Sequence, residues 1–235
     1  MECLYISEIG PESIGSSGLF LSKEDAKHIK ALRLKVGDNI LATNGKGFVA
    51  ECKIIKADKS ATVLQLISEN QTYSRPNKKQ IDFFVSPLSD SSRFEFLIEK
   101  AVELGVNKIN FLKLDNSEFK NIREERLKSK AIAALKQNRG AFLPEINKPK
   151  EINLYDLTYY DHLIVGSYNG KNAIDIASRI KDSIKLAILV GPEGGLSEAE
   201  EEFLNSIGNL LEVVLSPRRL RSETAAIALL SIFSG

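Results

Sequence analysis

The sequence predicts an α/β protein in two parts: a small, β-rich, barrel-like unit over residues 1–72, then a parallel sheet covered by helices over residues 73–235. Three observations carry this reading. The first seventy or so residues hold short strand-like runs around an Asn-Gly pair, the strongest short-range hairpin signal. From residue 81 onward, apolar runs alternate with helix-length stretches, the rhythm of parallel strands joined by crossover helices. Between the two lies 70-NQTYSRPNKKQ-80, polar and basic, with the composition of a linker. A length of 235 residues accommodates one large domain or two small ones.

In the first part, 22-SKEDAKHIKALRL-34 reads as a helix with Ser22 as N-cap and Asp25 three residues on. Val36-Gly37-Asp38 is a turn, and 39-NILATNGKGFVAECKII-55 gives two strands around 44-NGKG-47, where Asn44 and Gly45 both tolerate positive φ. Residues 61–68 alternate as a further strand. In the second part, strands are expected at 81–87, 109–114, 162–167, 186–192 and 211–217, and helices at 91–106, 121–138 and 197–208. His162 reads as a strand-start residue. There is no internal repeat and no low-complexity segment.

Hydrophobic residues make up 43% of the chain, enough for a true core in water. No apolar run approaches the roughly 18–20 residues of a membrane span. The opening MECLYISEIG has neither a basic n-region nor a continuous apolar stretch, so no secretory signal is expected. Cys3 and Cys52 stand alone, with no CxxC and no nearby histidine pair, which reads as ordinary thiols in a reducing cytoplasm and no metal site. The net charge of +1 hides an asymmetry: residues 1–72 balance, residues 73–150 carry +6 and residues 151–235 carry −5. A basic segment suits an anionic partner, usually nucleic acid. A solvated lysine-rich helix face gives the same count, and charge alone favours it.

Most of the chemistry lies in 189-LVGPEGGLSEAEEEF-203. This loop follows a strand, at the carboxyl end where open α/β sheets bind ligands. Gly194 and Gly195 let a ligand approach the main chain closely, and Ser197 caps a helix whose acidic first turn (Glu198, Glu200, Glu201) suits the positive dipole end. There is no Gly-Lys-Ser/Thr, the spacing is not GxGxxG, and an acidic helix start disfavours phosphate. A cationic or phosphate-free ligand fits better, though alone the loop serves equally as a structural turn. A second segment, 213-VVLSPRRLRSETAAIALL-230, repeats the logic: a strand, a Ser-Pro break, Arg218, Arg219 and Arg221, then Ser222 as the cap of a helix over 223–231. Ala225, Ala226 and Ala228 permit close packing there. Clustered arginines between apolar elements are costly if buried unpaired; a salt-bridged turn is the plain alternative. Two such loops together make a composite pocket.

The pair LVGPEGGLSEAE and LSPRRLRSETAA resembles the signature loops of the SPOUT class of RNA methyltransferases, and within it the RsmE family, which methylates N3 of a uridine in 16S ribosomal RNA of the small subunit. The stretch 28-HIKALRLKVGD-38 followed by NGKG is similar to that family's PUA-like β-barrel, and 99-EKAVELGVNKI-109 to its early catalytic domain. The resemblance covers nearly the whole chain. It implies S-adenosylmethionine (SAM) held in a trefoil knot of carboxyl-terminal strands and helices, an obligate homodimer with the RNA site across the interface, and a cytoplasmic enzyme whose partner is the small ribosomal subunit. Carried over residue by residue, the cofactor site comprises Gly166; Leu189, Val190, Gly191, Gly194 and Gly195; and Leu215, Ser216, Leu220 and Thr224. Leu189, Leu215 and Leu220 would wall the adenine, and the acidic loop then suits a sulfonium cation. Three positions depart from the family pattern: Lys136 precedes Gln137 where Glu is frequent, Ser216 stands where many members have Gly, and Arg219 where many have Ile.

Methylation at N3 is an in-line displacement that depends on alignment. It also requires loss of the imide proton, hence a base or groups that stabilise the uridine anion. Arg221 is the expected stabiliser of that anion or of an adjacent phosphate. Glu223 or Glu193 is the candidate base, each with an equal alternative as an arginine partner or loop cap. N3 lies on the Watson–Crick edge, so the target must be unpaired or flipped out. His28, Lys30, Arg33 and Lys35 are expected to grip RNA from the barrel, with Lys136, Gln137 and Arg139. The basic residues Arg75, Lys78, Lys79, Arg123, Arg126 and Lys128 would track phosphates, with a solvated surface the alternative for each lysine and domain packing for His28. Two rival functions share these features: a SPOUT enzyme acting on a ribose 2′-OH or a tRNA base, and a non-catalytic RNA-binding assembly factor. The glycine loops argue against the second; the PUA-like barrel argues against many members of the first.

Overall fold

The computed structural model describes residues 1–16, 18–58, 61–74, 78–117, 122–180 and 184–234. The chain forms two compact units, one of Met1–Pro76 with Ile132–Leu143, the other of Asn77–Ala131 with Pro144–Gly235.

The first unit contains β1 (Cys3–Tyr5), β2 (Leu19–Phe20), α1 (Lys23–Ala31), β3 (Asn39–Thr43), β4 (Val49–Ala57) and β5 (Thr62–Glu69). Its sheet has the order β1-β3-β4-β5-β2. Only β1 and β3 run parallel; the other pairs are antiparallel. Two register shifts in β4, at Glu51/Cys52 and Ile54/Lys56, give it the local bends that curl a sheet. Leu4, Ile29, Ile40, Ile54, Leu64 and Leu66 fill the core. α1 starts as expected, the Ser22 hydroxyl accepting from the Asp25 N–H at 3.1 Å.

The Asn-Gly pair works differently from expectation. Only Gly45 of the two takes a positive φ, +69°. The Asn44 side chain instead accepts from the N–H groups of Lys46 (2.8 Å) and Phe48 (3.1 Å) and donates to the Ile9 carbonyl (3.0 Å). The resulting loop is longer than a two-residue hairpin, and it docks the segment 140–143. The Leu143 N–H donates to the Gly45 carbonyl at 2.8 Å, and the Thr43 hydroxyl to that of Gly140 at 2.9 Å. Cys3 and Cys52 are buried free thiols, pushed by burial up to about 11 and about 12.

The second unit contains β6 (Gln80–Val85), α2 (Ser91–Glu103), β7 (Lys108–Lys113), α3 (Glu124–Asn138, its last residues counted with the first unit), β8 (Glu145–Glu151), β9 (His162–Asn172), α4 (Ala173–Ala177), β10 (Lys185–Val190), α5 (Glu198–Asn205), β11 (Leu210–Val214) and α6 (Ser222–Ser234). The sheet order is β11-β9-β10-β6-β7-β8, and every pair is parallel. The strands read as continuous apolar runs because both faces are covered. Along β10, Leu186, Ile188 and Val190 pack with residues of α2 and α6, while Ala187 and Leu189 pack with residues of α5. Asp90 caps α2 by accepting from the N–H groups of Ser92 (2.8 Å) and Arg93 (3.0 Å). The helix then buries Phe94, Leu97 and Ile98, each such side chain contributing about 1.5–3 kcal/mol. The α/β class agrees with expectation. Among the described residues no helix is long and apolar enough to cross a membrane.

Two strands exceed what the sequence suggested. β8 has the sequence EINKPKE; it survives a proline and a polar composition because it is the edge strand. β9 continues to Asn172 rather than ending near residue 167. Its far end, Lys171 and Asn172, pairs with Val213 and Val214 after a register shift. Gly170 sits at that shift, where an added Cβ would stand 2.5 Å from the Val213 nitrogen and 2.6 Å from the Glu212 carbonyl group. These are backbone atoms and cannot swing aside. Gly170→Ala is therefore expected to cost about 3 kcal/mol or more, as overpacking with no relief; urea unfolding of the full chain measures it, and a loss under about 1 kcal/mol contradicts the close approach.

Candidate active site

Residues 165–169 of β9 and the loops leaving β10 and β11 enclose a cavity of about 480 Å³, within the range of small-molecule sites. Val165, Val190, Leu196, Leu204, Leu215 and Leu220 supply apolar wall. Gly166, Gly191 and Gly195 offer bare main chain, and Glu193, Glu201, Glu212, Arg218 and Arg219 bring charge.

The β10 loop is held from several sides. Gly195, at φ +78°, closes a turn onto the Pro192 carbonyl (3.0 Å), and its own carbonyl accepts from the Asn116 amide at 3.2 Å. Ser197 and Glu200 form a reciprocal capping box at the start of α5. Glu200 also accepts from the Asp115 N–H at 2.8 Å, and the Ser197 hydroxyl donates to the Asp115 carboxylate at 2.6 Å. Part of the acidity that read as a ligand preference therefore serves the helix start: Glu200 is buried and fully engaged. In the β11 loop, Ser216 accepts from the Arg218 N–H (3.0 Å), and Arg219 donates to the Glu193 carbonyl (3.2 Å). The two departures in this loop, Ser216 and Arg219, thus have defined contacts, and Arg219 ties the two loops together.

Arg221 is the N-cap of α6, its carbonyl accepting from the Ala225 N–H at 2.9 Å. Ser222 is accordingly the first helical residue rather than the cap. A cation at the positive end of a helix opposes the dipole by about 0.3–1 kcal/mol. The Arg221 side chain is exposed and makes no hydrogen bond or ion pair among the described residues. That is the pattern of a side chain kept for something outside the fold.

The two candidate carboxylates share a partner that sequence reasoning missed. Arg93, in the first turn of α2, donates to Glu223 at 3.2 Å and lies 3.9 Å from Glu193 and 3.8 Å from Asp90. Glu223 is largely buried, its side chain 11% exposed. Glu193 also accepts from the Ser89 hydroxyl (3.0 Å) and N–H (3.3 Å). Burial pushes the Glu193 carboxyl up, but the N–H groups of Glu193 and Ser89, the Ser89 hydroxyl and nearby Arg93 together hold it below its ordinary value. No local signal marks Arg93, which reads as a surface residue one turn into a helix; its partner Glu223 is 130 residues further on.

Of the expected cofactor residues, Gly166, Val190, Gly191, Gly195, Leu215, Ser216 and Leu220 line the cavity, as does Glu193. Leu189 is fully buried in the core on the α5 side of the sheet. Gly194 backs onto Asn116. On α6 the lining residues are Ser222 and Ala225, with Arg221, Glu223 and Thr224 beside them.

The seven expected RNA-contacting residues all fall in the first unit. Lys30, Arg33, Lys35 and Gln137 are exposed, while His28, Lys136 and Arg139 are half-buried. Arg33 and Arg139 are the non-glycine residues with positive φ among those described, 58° and 59°. Each follows the last turn of a helix, the position glycine normally takes, at a cost of roughly 1–2 kcal/mol for a side-chain-bearing residue. Arg139 donates to the Tyr73 hydroxyl at 3.0 Å. The basic middle segment, by contrast, is no simple row of exposed cations. Lys79 is buried, Arg126 is paired with Glu95, and Arg75 lies outside the described residues. Among the described residues no cluster of His, Cys, Asp and Glu has the arrangement of a metal site.

This architecture is matched by known proteins. The model of the RNA methyltransferase domain matches residues 75–234, and that of the RNA methyltransferase PUA domain matches residues 21–67. The chain belongs to this RNA methyltransferase family, and its PUA-like half is part of the match. Relatives named ribosomal RNA small subunit methyltransferase E include those of Aquifex aeolicus (28% identical, covering 91% of this chain and 93% of the relative) and Bacillus subtilis (29% identical, 98% and 95%). A Legionella pneumophila methyltransferase solved with its bound cofactor SAM superposes with a TM-score of 0.80 at 25% identity, covering 99% of this chain and 95% of that one. The Neisseria gonorrhoeae ribosomal RNA small subunit methyltransferase E bound to SAM has the same fold, with a TM-score of 0.81 at 24% identity and coverage of 98% and 95%.

Gly195 has open space around it, so a methyl group there meets only the backbone penalty of its positive φ. Gly195→Ala is expected to destabilise by about 1–2 kcal/mol. Gly166→Ala, whose Cβ meets only Leu229 at 3.7 Å, should stay within about 0.5 kcal/mol of wild type. Equal losses in thermal unfolding contradict this account of the loop.

Proposed function

We propose that the protein methylates N3 of a uridine in 16S ribosomal RNA of the small subunit, with SAM as methyl donor and as a homodimer. The observation that carries the reading is the cavity itself: bare main chain and apolar walls from three segments, with Arg218 and Arg219 in its lining and Arg221 between the lining residues Leu220 and Ser222, in a chain of the RNA methyltransferase family. The name shared by the relatives supports the small-subunit substrate, and the cofactor in the Legionella structure supports the donor. The uridine N3 target is supported by the resemblance of the two signature loops. The position of β9 between β10 and β11 supports the knotted crossing that the resemblance implies.

The residues present fit SAM. The cavity has the size for it, its three glycines leave main-chain groups uncovered, and Leu196, Leu215 and Leu220 can sandwich a flat ring. Bound there, SAM supplies an electrophilic methyl group on sulfur. The chain aligns the acceptor with it and stabilises charge. Glu193, held below its ordinary value, is ionised at neutral pH and a weak base. Glu223 is taken up by Arg93. Both carboxylates therefore serve as arginine partners; the imide proton passes to solvent water, and stabilisation of the uracil anion so formed falls to Arg221. Arg33 and its basic neighbours hold the RNA backbone and contribute affinity without base specificity.

Labelled SAM incubated with small subunits lacking the native modification, followed by nucleoside analysis, should yield 3-methyluridine. Label in a 2′-O-methylated ribose or another base overturns the N3 assignment. A second test concerns the strained arginine. Arg33→Gly should raise stability by about 1 kcal/mol, since glycine is at ease at this φ. The same change should weaken RNA binding and lower its salt dependence by about one phosphate contact. A gain in stability with unchanged RNA binding removes Arg33 from the interface.

A further inference from the structure

We propose that Arg93 is the positioning residue of the methyl-transfer site: from α2 it fixes the loop after β10 through Glu193 and the first turn of α6 through Glu223, and so sets where Arg221 stands beside the cavity. The inference deepens the reading of the site as a SAM-dependent methyltransferase and rests on it. Its ground is geometric. The three segments leave three different strands, β6, β10 and β11, and meet at one guanidinium. Arg93 Nη1 lies 3.2 and 3.5 Å from the two oxygens of Glu223. Nη2 faces Glu193 at 3.9 Å and Nε faces Asp90 at 3.8 Å. Three carboxylates around a single cation leave the cluster net acidic, so it does not bind an anion and Arg93 is no phosphate contact. A planar guanidinium addresses several carboxylates in fixed directions, which an ammonium cannot do.

The chain's own order makes the consequence local. Glu223 lies two residues after Arg221 on the same helical turn, and with Ser222 and Ala225 forming cavity wall, a shift of that turn moves wall and cation together. Loss of Arg93 also strands Glu223, whose side chain is 11% exposed, without its counter-ion. The groups facing Glu193 are Arg93 from α2, Ser89 ahead of it, and Arg219, which holds the Glu193 carbonyl. Removing the cation from this set takes away one of the groups that hold the Glu193 carboxyl low.

The test compares Arg93→Gln, Arg93→Lys, Glu223→Gln and the double variant Arg93→Gln/Glu223→Gln, each as the full chain. In methyl transfer to small subunits, Arg93→Gln should lower kcat about 100-fold, the scale of a misplaced reacting group, with KM for RNA changed by less than about 3-fold. Arg93→Lys should recover part of the loss. The acid limb of the rate profile that reports protonation of Glu193 should be lost in Arg93→Gln, because that carboxylate acts only through Arg93. The double variant should be no slower than Arg93→Gln alone, since the two residues act as one unit. Calorimetric titration of SAM without RNA gives an independent readout, with affinity expected to fall about 10-fold in Arg93→Gln and not further in the double variant. Wild-type kcat and pH profile in an Arg93→Gln protein that is merely less stable overturns the proposal, as do Arg93 and Glu223 effects that multiply. Wild-type protein that binds SAM with this coupling but transfers nothing to small subunits sinks the substrate reading and leaves Arg93 in its role.

Discussion

The site depends on one constraint: β9 must lie between β10 and β11, strands that follow it in sequence. A chain that placed these strands in simple succession would spread their loops along the sheet edge. With β9 in the middle, the turns after β10 and β11 flank the bend of β9 and close on one space. The close approach at Gly170 is where this arrangement is tightest, because main chain meets main chain there with no room for a side chain. Gly166 and Val165, a few residues earlier on the same strand, are cavity wall. Fold and pocket therefore share a single strand.

Arginine does most of the remaining work, and its four uses differ in physical kind. Arg93 and Arg219 are tied to protein acceptors, a carboxylate and a carbonyl, and hold loops in place. Arg221 opposes the dipole of its own helix, and Arg33 occupies a backbone region that favours glycine. The last two positions are locally unfavourable, and natural sequences concentrate such conflicts at functional sites. The carboxylates follow the same division. Glu200 belongs to helix capping, while Glu193 and Glu223 belong to the arginines.

Much of this was legible in sequence because it obeys local rules. The apolar runs of β6, β7, β10 and β11 sit on a sheet covered on both faces, and Ser22 and Ser197 cap the helices their spacing announced. The glycine loops were readable since only a ligand or a sharp turn needs them. Whatever depended on distant partners was not. β8 looks like a loop until its neighbour β7 is known, and the length of β9 is set by residues 213 and 214. Asn44 reads as a turn residue, but its side-chain bond to the Ile9 carbonyl decides the conformation. Arg93 is invisible for the same reason: its meaning comes from Glu193 and Glu223, brought to it by the sheet order. Lys79 and Arg126 count as basic in sequence, whereas burial and Glu95 govern them in the fold.

The most direct test of the account is amide hydrogen exchange of the full chain with and without saturating SAM. One shared cavity predicts slowed exchange in three separate segments at once, 165–169, 190–196 and 215–225, with little change in α1 or β1 to β5. Protection confined to one of these segments, or centred on the first unit, would contradict a site built where β9, β10 and β11 come together.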